Sequence, residues 1–71
     1  MTIDENLERI RQHVNRLKRE TDSLKAYQGT PAERDRAART MRTAMELANM
    51  AAYVAHQVDA LATAAERKMA S

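Results

Sequence analysis

Apolar side chains recur along this chain in two helical rhythms separated by one short break. In the first stretch Ile3, Leu7, Ile10, Val14, Leu17, Thr21 and Leu24 follow at alternating intervals of four and three residues, and Thr21 is the only polar member. That spacing returns to one side of an α-helix. From residue 37 to residue 69 the apolar positions are denser. At about 100° per residue they span an arc of roughly 220°, about twice what a helix needs to cover one neighbour. The pattern predicts two helices, the second carrying more apolar surface than the first can bury.

Between them, Gln28-Gly29-Thr30-Pro31-Ala32-Glu33 holds the sole glycine and the sole proline of the chain. Gly29 suits the left-handed position after a helix end, and Thr30, Pro31 and Glu33 read as N-cap, first-turn proline and capping-box glutamate. Thr2 and Glu5 form a second capping box ahead of the first apolar row. The expectation is one all-α domain, an antiparallel two-helix hairpin dimerising into a helical bundle. Its parts are helix 1 over about 3–28, a turn at 29–30 and a longer helix 2 over about 31–69.

A turn centred on residues 29 and 30 makes facing positions sum to about 58 to 60. This pairing sets Ile3 against Ala55, Leu7 against Ala51 or Ala52, Ile10 against Ala48, Val14 against Met45 and Leu17 against Met41. Large side chains then meet small or flexible ones, which lets helices approach closely. A second row, Leu47, Ala51, Val54, Val58, Leu61 and Ala65, lies about 140° around helix 2 and is expected to be the interface of a homodimer. Helix 1 ends opposite residue 56 or so, which leaves Val58, Leu61, Ala62, Ala65 and Met69 on an overhang. A frayed, alanine-rich tail is the plainer alternative. Burying a Val or Leu contributes about 1.5 to 3 kcal/mol, so a dimer recovers several kcal/mol that a monomer forgoes.

Composition points the same way. With 71 residues, no Cys, no Phe and no Trp, the chain has few large side chains from which to build a core. Chains this short usually rely on disulfides, a metal or oligomerisation, and only the last has residues to support it here. The start, Met1-Thr2-Ile3-Asp4-Glu5, is acidic and no long apolar run follows, so a cytoplasmic protein without membrane contact is expected. Residues 9–42 carry ten Lys or Arg against four acids, a local net charge of +6. Such a region could meet nucleic-acid phosphate or an acidic protein surface. Interleaved acids and missing aromatics favour a solvated exterior with local ion pairs such as Arg16 with Glu20.

Candidate chemistry is sparse. His13 and His56 fall far apart in the paired hairpin, and His56 with Asp59 is a single neighbour pair, too little for a metal site or an acid–base apparatus. Ser23 and Ser71 lack nucleophile context, and one glycine cannot make a phosphate-cradling loop. No enzyme, cofactor or metal is therefore expected. Recognition is better served: Tyr53, with Arg39, Arg42 and His56 around it on a polar stripe of helix 2, is the candidate partner-binding group, since exposed Tyr beside Arg is typical of interface anchors. Met41 and Met45 are expected as gap-fillers facing helix 1, Met69 as an adaptable contact on the overhang, and Tyr27 as a cap on the end of the bundle.

The paired capping boxes, the Gly29-Thr30-Pro31 turn and the second apolar row make the chain resemble the small helical-hairpin proteins of phages and other mobile elements, including the anti-quorum-sensing type. That resemblance implies binding to host proteins such as a transcription activator or a pilus assembly ATPase, and no binding residue is carried over from it. The hairpin dimer also resembles the plasmid RNA-binding Rop type, a four-helix bundle of two hairpins, from which the unequal arms and alanine-rich helix 2 depart. The functional expectation is a small protein-binding module that regulates or inhibits a partner, for example a transcription regulator or motor ATPase. A Rop-like nucleic-acid-binding regulator and an assembly or secretion chaperone subunit are the alternatives.

Overall fold

Two reciprocal hydrogen bonds start the first helix. In the computed structural model, which describes residues 1–70 and leaves Ser71 outside, Thr2 Oγ1 accepts from the Glu5 N–H at 3.1 Å. The Glu5 carboxylate in turn accepts from the Thr2 N–H at 3.4 Å. Helix α1 then runs Ile3–Ala26, with Asp4 and Glu5 in its first turn and Lys25 in its last, the charge order that the helix dipole favours.

Gly29 adopts φ +77, the left-handed value expected of it. The cap of the second helix differs from the one read off the sequence. The Thr30 hydroxyl donates to the Tyr27 carbonyl at 2.6 Å, and the Glu33 carboxylate reaches past Thr30 to accept from the Gly29 N–H at 2.9 Å. Pro31 is thereby kept in the connection, and helix α2 begins two residues later than expected, running Glu33–Ala70.

The helices pack antiparallel, and polar side chains set their register. Asn6 Nδ2 donates to Gln57 Oε1 at 2.8 Å, and the Arg36 guanidinium lies 3.8 Å over the Tyr27 ring. The Thr43 hydroxyl lies against the Glu20 carboxyl. Each of these three pairs sums to 63, so the polar contacts share one edge of the interface, about four turns and then two turns apart. Along the other edge run Ile3, Ile10, Leu17 and Leu24 of α1 and Thr40, Leu47 and Val54 of α2, all half-buried. Threonines tolerate the seam because Thr21, Thr40 and Thr43 direct their hydroxyls to the carbonyl one turn back, at 2.8, 2.8 and 3.3 Å.

Other contacts, Met1 with Gln57, His13 with Glu46 and Ser23 with Arg36, sum to 58 or 59, so the register falls close to the expected turn with the polar edge a few residues off it, but the face of α2 does not match. Met41 and Met45, expected against α1, are each 61% exposed, and Ala48, Ala51, Ala52 and Ala55 are exposed with them. Leu47 and Val54, assigned to a dimer interface, are instead half-buried on the side of α2 that meets α1, while Ala51, Val58, Leu61 and Ala65 of that row are exposed. On α1, Leu7 and Val14 are 48% and 47% exposed, displaced from the seam by Asn6 and His13. The cause is physical. An apolar arc of roughly 220° leaves the facing direction of α2 undetermined, and polar partners for Asn6 and Glu20 together with the Arg36 stack on Tyr27 then select it.

The Glu20 carboxyl is held below its ordinary value of 4.5 by the Thr43 hydroxyl, against the opposing effect of burial and with help from Arg16, whose Nε lies 3.0 Å from Oε1. Its Oε2 is sealed from solvent without a fully formed hydrogen bond, and the Thr43 hydroxyl is shared with the Arg39 carbonyl, 3.3 Å away. A carboxyl whose folded value is depressed adds stability above its unfolded value and loses it as pH falls through the folded one. Glu20→Gln is accordingly expected to flatten the fall in melting temperature as pH drops below 4.5, measured by circular dichroism against the unsubstituted chain. Gly29→Ala meets no atom within 4 Å yet must hold a positive φ. It should cost about 1 kcal/mol, or roughly 4–8 °C in melting temperature.

Candidate partner-binding face

The polar edge of the hairpin opens onto a face built by both helices. From α2 come Arg39, Glu46 and Tyr53, with Arg42, Asn49 and His56 one stripe further out; from α1 come Arg9 and Arg16. All eight are exposed.

At the end of the hairpin away from the turn, Met1, Asn6, Arg9, Asn49, Met50 and Tyr53 line a cleft of about 370 Å³. Its walls are held by the chain start folding over α2: Gln57 Nε2 donates to the Met1 carbonyl at 3.1 Å, and Arg9 Nη1 lies 3.1 Å from Met1 Sδ. The buried Asn6 amide, tied to Gln57, forms the floor. Nearer the turn, Glu20, Ser23, Arg36, Arg39 and Thr40 surround a hollow of about 80 Å³, in which Arg36 Nη1 donates to Ser23 Oγ at 2.8 Å. Between the two, His13 Nε2 lies 3.4 Å from Glu46 Oε2.

Of the four residues assigned to recognition from the sequence, Tyr53 lines the cleft and Arg39 the hollow. Arg42 and His56 are exposed on the outer rim and line neither. The structure adds Met1, Asn6, Arg9 and Met50, which the reading of apolar rows passed over, beside Asn49, a neighbour of Tyr53 on the polar stripe. A signal for Asn6 was present: Asn6, His13, Glu20 and Tyr27 recur every seven residues, marking a polar edge that runs beside the apolar one.

Chemically the cleft offers a phenol ring, apolar walls, side-chain amides and one guanidinium at its mouth. These groups suit an apolar side chain flanked by an acceptor or a carboxylate. Among the described residues no cluster of three or more His, Cys, Asp or Glu could hold a metal ion, and no helix is long and apolar enough to cross a membrane. The opposite side of the hairpin is apolar. There Leu7 and Val14 flank a row of α2 that runs from Ala37 to Met69. No family model, no characterised protein and no solved structure matches the chain.

Proposed function

We propose that this chain is a small non-enzymatic association module that binds and regulates another protein and works as a homodimer of hairpins. One observation carries the reading: among the described residues no hydrophobic side chain is buried, and only Asn6 and Thr43 are, at 6% and 2% exposure. A rod of 62 × 16 × 16 Å, two helices thick, has no interior of its own. Its apolar side then supplies association and its polar side, with Tyr53, supplies recognition. A partner offering an apolar anchor next to acidic groups fits the cleft and its arginines.

Nucleic-acid binding ranks second because the basic residues are partly committed. Arg36 stacks on Tyr27 and donates to Ser23, Arg16 pairs with Glu20, and Arg11 lies 3.4 Å from Glu8. Any binding to DNA or RNA is expected to be sequence-independent, with dissociation constants of roughly micromolar to 0.1 mM near physiological salt. A titration by fluorescence anisotropy checks this, and nanomolar, sequence-selective binding would reverse the ranking.

The main test separates assembly from recognition. Light scattering at micromolar concentration should return twice the 8.0 kDa chain mass for both the unsubstituted protein and Tyr53→Ala. Truncating an exposed ring alters stability by less than about 0.5 kcal/mol, whereas removing an interface anchor costs about 2 kcal/mol or more, roughly thirtyfold in affinity. Capture of a specific protein from lysate should therefore drop with Tyr53→Ala while helicity and mass hold. Equal recovery by both proteins would make the Tyr53 face inert, and a single-chain mass would remove the dimer.

A further inference from the structure

The row of α2 left outside the hairpin has a pattern of its own. From Ala37 to Met69 ten positions recur at unbroken intervals of four and three, comprising seven alanines with Met41, Val58 and Met69, and all but Ala44 are exposed. This row is centred about 100° around the helix from the row that meets α1. That is close to the right angle at which a helix in a square bundle meets its two neighbours.

We infer that this face docks on the same face of a second copy, antiparallel, with the two-fold axis passing beside residue 53. The inference rests on the dimeric assembly proposed above and specifies its geometry. In an antiparallel register where facing numbers sum to 106, all ten positions engage. Met41 meets Ala65 of the second copy, Val58 meets Ala48, Met69 meets Ala37, and alanine meets alanine elsewhere. No large side chain faces another, so the helices approach closely along the whole row. A parallel, in-register pair would instead set Met41, Val58 and Met69 against their own copies and leave gaps between them.

Two further features fit the same register without adjustment. Gln57 is bonded to both Met1 and Asn6, which sets the start of α1 near Ile3 at the level of residue 57, so residues 58–70 of α2 project beyond it by about 20 Å. The register lays this projection alongside residues 12–24 of the second copy's α1, bringing the exposed Leu61 to the level of the exposed Val14. Near the axis the first turns of the two α1 helices overlap, Leu7 at the level of its own copy and Asp4 at that of Arg11. Each overhang is thus covered by the arm that the other hairpin leaves uncovered.

The hairpin has surface to give to such an interface. A compact monomer of this mass exposes roughly 4,500 Å², whereas this hairpin exposes 5801 Å². The excess of about 1,300 Å² exceeds the ~800 Å² that each partner contributes to an interface of standard size.

The chain has no cysteine among its residues, so single nitroxide labels can be placed cleanly. Ala52→Cys and Ala38→Cys are exposed and flank the docking row without belonging to it. With each labelled variant first shown to keep its helicity and mass, pulsed dipolar spectroscopy should read a distance below about 20 Å at residue 52. At residue 38 it should read about 45 Å, since the two copies of that position lie some thirty residues apart along the axis at 1.5 Å per residue. Short distances at both sites would mean a parallel pair, and a residue-38 distance displaced by about 10 Å would mean a register shifted by a heptad. Either result overturns this geometry while leaving the dimer standing. A single-chain mass with no dipolar distance overturns both.

Discussion

Three polar contacts at one offset decide which face of α2 meets α1: Asn6 with Gln57, Glu20 with Thr43, and Tyr27 beneath Arg36. Leaving a buried polar group without a partner costs about 1–3 kcal/mol. Turning α2 to bury Met41 and Met45 would separate Asn6 from Gln57 and Glu20 from Thr43, the pairings that the two most buried residues of the hairpin belong to. Apolar burial gained by such a rotation would be modest, because the residues brought inward would mostly be alanines. Polar satisfaction outweighs apolar area here, and the orientation of every other side chain on α2 follows from it.

One consequence is a rod with two chemically distinct sides. The polar edge widens into the face carrying Arg9, Arg39 and Tyr53, and the apolar edge continues into Leu7, Val14 and the alanine-rich row of α2. Tyr53 lies almost opposite that row on the helix. Association and recognition can then occupy separate surfaces, so that a second hairpin covering the apolar side leaves the cleft of Met1, Asn6, Arg9 and Tyr53 open. The face proposed for recognition is also stiffened from within, since the Asn6 amide lining its cleft is bonded to Gln57 and Met1 is tied down by Gln57 and Arg9.

A second consequence concerns the six residues Leu47, Ala51, Val54, Val58, Leu61 and Ala65. They span both the edge that meets α1 and the start of the outward row, so they lie at the corner between two neighbours of α2. In the proposed bundle that corner is the interior. The apolar row of α1 from Ile3 to Leu24 occupies the equivalent corner, with Ile3, Ile10, Leu17 and Leu24 turned to α2 and Leu7 and Val14 turned outward. In the proposed bundle both rows would therefore be shared, part of each lining the seam of the hairpin and part turned toward the second copy.

Local chemistry made much of the architecture legible from the residues alone. The Thr2–Glu5 box, the left-handed Gly29, two helices of unequal length and the antiparallel register each depend on residues within a few positions of one another or on chain length, which a linear pattern carries directly. The Arg16–Glu20 pair, one turn apart on α1, is of the same kind. What escaped was one local choice between neighbouring donors and one long-range pairing. The shift of the α2 start came from Glu33 choosing the Gly29 N–H over that of Thr30. The facing of α2 came from partners such as Asn6 and Gln57, fifty-one residues apart. The cleft beside Tyr53 follows from that facing, because Arg9 and Asn6 come beside Tyr53 only once the polar edges are matched. Apolar periodicity announces that a helix will be covered, but where the apolar arc is wider than one neighbour, packing and hydrogen-bond satisfaction in three dimensions choose the side.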